Sequence, residues 1–275
     1  MKNNISLYKN DQIPLVSVIV PTFNRKELLK ETVESILSQS FANFELIIID
    51  NMSEDGTKQY VENILDKRVK YLRNANGGII AINRNLGIKN ALGKYIAFCD
   101  DDDLWLPEKL SEQINVMESD ADAALCYTNA QSFKDVNIII ENKVFKKEYF
   151  TSHYRKLLRG NVIPTSSVLL RREVTEIVGK FNENIRLMTV EDYDFWLRIA
   201  HQYKLIYINL PLIKYRINNN GNLGVKSKNA LRNALVLKGI MKEHKLSARE
   251  KYKYIFIQYV RYLFFLYEEL KHGRS

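Results

Sequence analysis

The sequence predicts an α/β protein with a mainly parallel central sheet, helices on both of its faces, and a helical C-terminal appendage. Three observations predict it. Over the first hundred residues, strand-like apolar runs alternate with helically spaced segments, the runs are apolar almost without interruption, and several end at a polar loop. Strands covered on both faces lose the in-and-out alternation of a half-solvated strand, so unbroken apolar runs interleaved with helices imply parallel pairing. Ligands of such sheets bind beyond the carboxyl ends of the strands.

Val16 to Val20 is the first strand-like run, and Lys26 to Ser38 follows with Leu28, Leu29, Val33, Ile36 and Leu37 at helical spacing. Phe44 to Ile49 is the second strand, Glu54 to Leu65 a helix, and Val69 to Leu72 a short third strand. Ile79 to Ala91 forms a helix closed by Gly93, and Tyr95 to Cys99 is a strand that runs into four consecutive carboxylates, Asp100 to Asp103. Beyond Pro107 the pattern gives a helix to about Glu118, a strand at Ala123 to Tyr127, and an irregular region containing Val162 to Leu170. A helix from about Val190 to Tyr203 and strands at Leu205 to Ile208 and Leu212 to Ile217 complete the body. An Asn- and Gly-rich break, Asn218 to Gly224, precedes two C-terminal helices near 226–244 and 247–271.

A chain of 275 residues can hold one large domain and an appendage, and the expected division is 1–223 and 224–275. Its 46% hydrophobic and 27% charged residues are those of an ordinary folded protein. The net charge of +9 is uneven: residues 224–275 carry 12 Lys and Arg against 4 Glu, and residues 1–223 carry 29 basic against 28 acidic residues. A protein that coats nucleic acid would not confine its basicity to one end, so no nucleic-acid partner is expected. Cys99 and Cys126 lie in apolar runs without a Cys-x-x-Cys spacing, which fits small core residues in a reducing compartment. The first fifteen residues lack the apolar stretch of a secretory signal, and charges interrupt the aromatic tail before it reaches the length of a membrane span. The expected location is cytoplasmic.

The acidic run is a poor recipe for a core and a good one for a cation site. On an extended strand end Asp100 and Asp102 share a face and can converge on one ion, while Asp101 and Asp103 point elsewhere. Hard cations such as Mn2+ or Mg2+ take one or two carboxylates and complete their shell with water and phosphate. The plainer alternative is a solvated acidic turn capping the next helix. A second constellation, Glu191-Asp192-Tyr193-Asp194-Phe195-Trp196-Leu197-Arg198, interleaves carboxylates with large aromatics, an environment that raises a carboxylate's pKa and suits it to take a proton from a hydroxyl. Its alternative is an amphipathic helix with an acidic first turn. Asp50, at a strand end, can accept from a pyrimidine imide, and Arg84 can hold a phosphate or ribose oxygen.

Four stretches, taken together, resemble glycosyltransferase family 2, the inverting nucleotide-sugar transferases of the GT-A fold. They are Val16 to Arg25 with Pro21-Thr22-Phe23-Asn24-Arg25, Ile49 to Thr57, Asn76-Gly77-Gly78 through Arg84 to Asp103, and Glu191 to Arg198. The resemblance implies that Pro21, Thr22, Asn24, Asp50, Ser53, Gly78, Arg84, Asp100, Asp101 and Glu191 surround a nucleotide sugar. It further implies that Asp102, with Asp100, holds Mn2+ or Mg2+ and that Asp192 is the catalytic base. The donor expected by resemblance is a UDP-hexose or UDP-HexNAc, and the acceptor a glycan hydroxyl on a lipid-linked oligosaccharide in surface polysaccharide biosynthesis. Two departures stand out: many members carry a His after a Tyr-Arg pair where this chain reads Tyr215-Arg216-Ile217-Asn218, and the Gln-x-x-Arg-Trp of processive synthases is missing. The second favours transfer of one sugar.

The tail mixes Tyr252, Tyr254, Tyr259, Phe256, Phe264 and Phe265 with Lys251, Lys253 and Arg261. Such a mixture suits peripheral contact with an anionic membrane, here its inner face. A helix packed on its own domain or on a second subunit of a homodimer is the alternative. A dehydrogenase would need Gly-x-Gly-x-x-Gly after the first strand, where this chain has no glycine. The rival of another class is a catalytically silent nucleotide-sugar-binding or scaffold subunit.

Overall fold

A computed structural model of the chain describes residues 13–135, 138–143, 153–217, 223–244 and 246–272. Most of the Asn- and Gly-rich break and nearly all of the N-terminal segment lie outside the described residues. The first half follows the predicted alternation: β1 (Val16–Thr22), α1 (Lys26–Leu37), β2 (Phe44–Asp50), α2 (Thr57–Glu62), β3 (Val69–Arg73), α3 (Ile80–Asn90) and β4 (Tyr95–Phe98). Then come β5 (Leu104–Trp105), α4 (Lys109–Ser119), β6 (Ala123–Asp135), β7 (Ile138–Lys143), α5 (His153–Leu157), β8 (Val168–Arg171), α6 (Val174–Ile177) and α7 (Glu191–Gln202). The chain closes with β9 (Lys204–Arg216), α8 (Leu223–Glu243) and α9 (Ala248–His272).

The described strands form one sheet in the order β3-β2-β1-β4-β8-β6-β9-β5, with β7 hydrogen-bonded to β6. Its first half is parallel, with Thr22 level with Asp50 and Ile19 level with Phe98. Beyond β4 the sheet is mixed, because β8 runs antiparallel to both β4 and β6 while β9 runs parallel to β6. The register puts the carboxyl ends of β2, β1 and β4 side by side, so the polar loops that follow these strands share one edge of the sheet.

Side chains alternate across this sheet and bury a core on each face. Val18, Val20, Leu46 and Ile48 pack on Leu29, Val33 and Ile36 of α1 and Leu110 of α4. Ile19, Ile47, Ile96 and Phe98 face the other core with Phe195 and Trp196 of α7. Val236, Leu237 and Ile240 of α8 belong to that second core too, so the C-terminal helices extend the body's packing. Helix α3 lies close on β1 at Gly87, where a Cβ would meet Ile19 Cγ2 at 2.5 Å.

Strand β6 runs to Asp135, beyond the expected Tyr127, and β7, α5 and α6 add elements in and beside the irregular region; three other differences have local reasons. Helix α2 begins at Thr57 because the Asp55 carboxylate accepts both the Thr57 N–H and its hydroxyl, and Gly56 before it has φ +88°. The two strands expected at 205–217 are a single thirteen-residue β9, since the register shift between the Thr128–Ile208 and Asn129–Pro211 pairs absorbs Pro211. The two-residue strand β5 was not anticipated; it pairs with β9 and closes the sheet beside the acidic run.

Candidate active site

Two interlocked loops build one end of the cleft. Asn24, at φ +49°, donates its N–H to Ser53 Oγ at 2.8 Å, and its side chain accepts the Glu54 N–H at 2.8 Å. Asp50 is fully buried at the end of β2. One of its oxygens accepts the Ser53 N–H at 2.8 Å; the other accepts the Tyr71 hydroxyl at 2.5 Å and lies 3.5 Å from Arg73. A base reaching Asp50 would therefore exchange with one of these protein donors. Pro21, Thr22, Asn51, Asn76, Gly78 and Asn83 line a cavity of about 250 Å³ in front of these loops.

The acidic run is a turn, which corrects the expected alternation. Strand pairing ends at Phe98, and the Asp103 N–H closes back on the Asp100 carbonyl at 3.2 Å. Asp101 consequently does not point away: it accepts the Thr22 hydroxyl at 2.7 Å and Arg25 at 3.1 Å, and Arg25 also reaches Asp102 at 3.1 Å. Asp100, Asp101 and Asp102 border a second cavity of about 250 Å³ with Pro21, Arg25, Tyr215 and Arg216. Asp103 does turn inward, where it accepts the Ser166 hydroxyl at 2.5 Å and the Arg216 N–H at 2.9 Å.

This crowding leaves a surplus of negative charge. Burial, with Asp100 and Asp101 nearby, pushes the Asp102 carboxyl up to about 6 despite Arg25 and Arg216. An acidic pocket of that kind calls for a cation, and its oxygen donors match a hard divalent ion that completes its shell with phosphate and water. Among the described residues no three His, Cys, Asp or Glu side chains form a protein-only metal cage.

Arg84 joins this acidic end of the cleft to the other. Buried on α3, it donates to Asp100 at 2.7 Å and to Glu191, the first residue of α7, at 2.6 Å. A planar guanidinium spans two carboxylates from two separate nitrogens, a geometry that the single nitrogen of an ammonium does not reproduce. Next to Glu191, Asp192 lines a cavity of about 710 Å³ together with Asp100, Asn161, Thr165, Thr189 and Tyr215. Asn161 donates to Asp192 Oδ2 at 2.8 Å, Thr165 to the same oxygen at 3.2 Å, and the Tyr193 N–H to Oδ1 at 2.7 Å. Burial and the neighbouring Glu191 charge raise the Asp192 carboxyl to about 7, against Arg84 and these donors. Its half-buried carboxylate is thus poised to exchange a proton near neutral pH.

All three cavities border Ile80, so they adjoin one another along one side of the molecule. Pro21, Thr22, Gly78, Arg84, Asp100, Asp101, Asp102, Glu191 and Asp192 line these cavities, whereas Asn24, Asp50 and Ser53 line none of them and sit in the interlocked loops. Sequence reasoning missed Asn161 and Thr165, which hold Asp192, as well as Tyr71, Ser166, Arg25 and Arg216, which hold the other carboxylates. No spacing marked them, because each meets its carboxylate across a long stretch of chain. The C-terminal helices grip the same region: Gln258 and Arg261 both donate to the Arg159 carbonyl, at 3.0 and 2.7 Å, two residues before Asn161.

Comparison with known proteins agrees with this geometry. The model of the family described as glycosyl transferase family 2 matches residues 17–178. The Escherichia coli protein WfaP, named a UDP-Glc:alpha-D-GlcNAc-diphosphoundecaprenol beta-1,3-glucosyltransferase, is 34% identical over 239 residues, covering 84% of this chain and 90% of WfaP. S. aureus TarS 1-349, solved in complex with UDP-GlcNAc, is similar at a TM-score of 0.71 and 20% identity, covering 90% of this chain and 72% of that chain. Mannosyltransferase PcManGT from Pyrobaculum calidifontis, solved with GDP-Man and Mn2+, is similar at a TM-score of 0.66 and 16% identity, over 94% of this chain and 76% of that one. The two structures bear on the fold, which is GT-A-like, while the family model and the E. coli relative decide the family: this chain is a glycosyltransferase of family 2.

Proposed function

We propose that this enzyme transfers one sugar, with inversion and without processive movement, from a UDP-sugar to a hydroxyl of a lipid-linked diphosphate glycan. The observation that carries the reading is Arg84, which ties the acidic turn to the helix start bearing a base poised near neutrality. A donor binds with its nucleotide between Pro21, Thr22, Asn24, Ser53 and Gly78, and with its diphosphate towards Asp100, Asp101 and Asp102. Asp102 with Asp100 would hold a Mn2+ or Mg2+ ion, which would supply positive charge against the departing nucleoside diphosphate.

Asp192 takes the proton of the acceptor hydroxyl as that oxygen attacks the anomeric carbon. Asn161 and Thr165 hold the carboxylate in place, and Arg84 fixes Glu191 beside it. The second Glu191 oxygen is buried without a partner at the cleft wall, where a sugar hydroxyl would satisfy it. A single displacement by an oxygen on the face opposite the leaving group inverts the carbon. The relative named for a UDP-glucose donor and a diphosphoundecaprenol acceptor, and the fold neighbour crystallised with UDP-GlcNAc, support the donor and acceptor classes. A lipid-linked acceptor puts the reaction at the cytoplasmic face of a membrane, and among the described residues no helix is long and apolar enough to cross one.

Release of nucleoside diphosphate from a panel of nucleotide sugars, with and without Mn2+ and a lipid-diphosphate acceptor, tests the reading. Turnover should need a UDP-sugar and the divalent ion. Asp192→Asn should lose about 10²-fold or more while still binding donor. Unchanged turnover in that variant removes Asp192 as the base, and donor binding without turnover by the native chain would mark a silent binding subunit.

A further inference from the structure

Helix α9 is apolar on its outer side as well as its inner one: Tyr254 is buried in the core with Ile255 and Ile257 packed against it, yet a second apolar stripe stays outside. A surface helix normally turns its apolar stripe inward and its polar residues outward. Here Gln258 is fully buried, whereas Phe256, Leu263, Phe264, Tyr267 and Leu270 are each more than half exposed, as is Tyr252. Successive residues are about 100° apart around the axis, so Tyr252, Phe256, Leu263, Tyr267 and Leu270 fall within about 60° of arc. They make one apolar stripe along a 25-residue helix, which is about 37 Å long.

Cations border the stripe and carboxylates avoid it. Lys253 and Lys271 are exposed about 100° round from Tyr252, whereas Glu250 and Glu268 lie about 160° away. On the opposite border α8 exposes Lys228, Lys238 and Lys242 on one face, and the Lys238 ammonium sits 5.8 Å from the centre of the Tyr259 ring. The inner side of α9 holds the Arg159 carbonyl beside the cleft, so the stripe faces outward next to the acceptor end of the site.

We propose that the outer face of α9, with the α8 lysines beside it, docks on an anionic lipid surface, the aromatic stripe entering the headgroup region and the lysines meeting lipid phosphates. The charge pattern selects this occupant over a second copy. A two-fold contact along the same face would set two rows of lysines against each other with no carboxylate among the described side chains of that face to meet them. A lipid surface offers apolar depth and negative charge together. The surface deepens the proposed function, on which it rests for its purpose; its evidence is the exposed apolar stripe and the lysines beside it.

The full chain should co-sediment with phosphatidylcholine vesicles containing 30% phosphatidylglycerol, and about tenfold more weakly with phosphatidylcholine alone or in 0.5 M salt. Phe256→Ser/Leu263→Ser and, separately, Lys238→Glu/Lys253→Glu should each weaken binding about tenfold, with Tm unchanged. Neither pair touches the cleft, so nucleoside diphosphate release with a soluble acceptor should stay at the native level. Vesicle binding by either variant equal to the native chain overturns the proposal. So does a native dimer in sedimentation that Phe256→Ser/Leu263→Ser splits, since that would assign the stripe to a second copy. Vesicle binding is read without turnover, so its failure is distinct from failure of the transferase reading.

Discussion

Asn161 and Thr165 both donate to one oxygen of Asp192, so removing them tests the base without touching it. Asn161 is exposed and its amide competes with water, and the Thr165 bond is longer, so the two together favour the carboxylate by roughly 1.4 kcal/mol. That is about one pKa unit. The Asn161→Ala/Thr165→Val variant should therefore move the acid limb of kcat/KM for the acceptor from about 7 to about 8. The sign follows from the role: a base works only when deprotonated, so raising its pKa removes activity at low pH and returns it at high pH. At pH 6 the variant should be about tenfold slower than the native enzyme, and at pH 9.5 about equal. Initial rates of nucleoside diphosphate release between pH 5.5 and 9.5, at saturating donor and Mn2+, give the profile. A loss of the same factor at every pH would refute the reasoning, because it would mean that the two side chains shape the cleft without acting on the proton.

Arg84→Lys keeps the charge but replaces the two-nitrogen fork with one nitrogen on a shorter reach, so one buried carboxylate should lose a donor worth about 1.5–3 kcal/mol. Thermal melting should fall by about 5 °C and turnover by more than tenfold; a native-like Tm would show that the bridge holds nothing. Asp192→Asn should stabilise the fold. The carboxyl has a folded-state pKa raised to about 7, so its stability is full at low pH and lost as pH climbs towards 7. Discounted for the solvated side of the cleft, removing the charge at pH 8 should raise Tm by about 3 °C, and no rise would contradict the assigned burial. Asp102→Ala should raise the Mn2+ concentration for half-maximal rate by about tenfold or more, read as a titration of activity against metal. His244 contributes with the opposite sign to Asp192 over pH 6.5 to 4: stacked on His201 and bonded to the Tyr154 hydroxyl, it is held near 4 by burial, with the His201 and Arg198 charges adding. An unfolded His takes its proton near 6.5, so this share of stability is lost as pH falls; the Tm difference between native and His244→Gln proteins should shift in favour of the variant from pH 6.5 to pH 4, and a constant difference would refute the assignment.

The parallel half of the sheet was legible because strand and helix periods are local properties that survive folding. The residues at its carboxyl edge were legible for the same reason: Asp50, Asp100 and Asp192 each stand where an apolar run or helical stripe begins or ends. What failed was the step from period to direction. Asp100 to Asp103 were read as continuing the strand, but pairing stops at Phe98 and the run turns, so Asp101 joins the cleft beside Asp100 and Asp102. The partners that tune the carboxylates were invisible for a different reason. Asn161 meets Asp192 across 31 residues, and Arg216 meets Asp103 across 113, and no period links such positions.

The tail shows the same limit from the other side. A helical aromatic period says that one face is apolar; it does not say which way that face looks. In α9 the deciding residue is Gln258, fully buried and donating to the Arg159 carbonyl, because a polar side chain with a built-in partner fixes the inward face. Once that face is inward, the helix has no rotation left that would cover Phe256 and Leu263. The stripe outside is therefore a consequence of the contact inside, and the same contact holds the loop that carries Asn161 to the base.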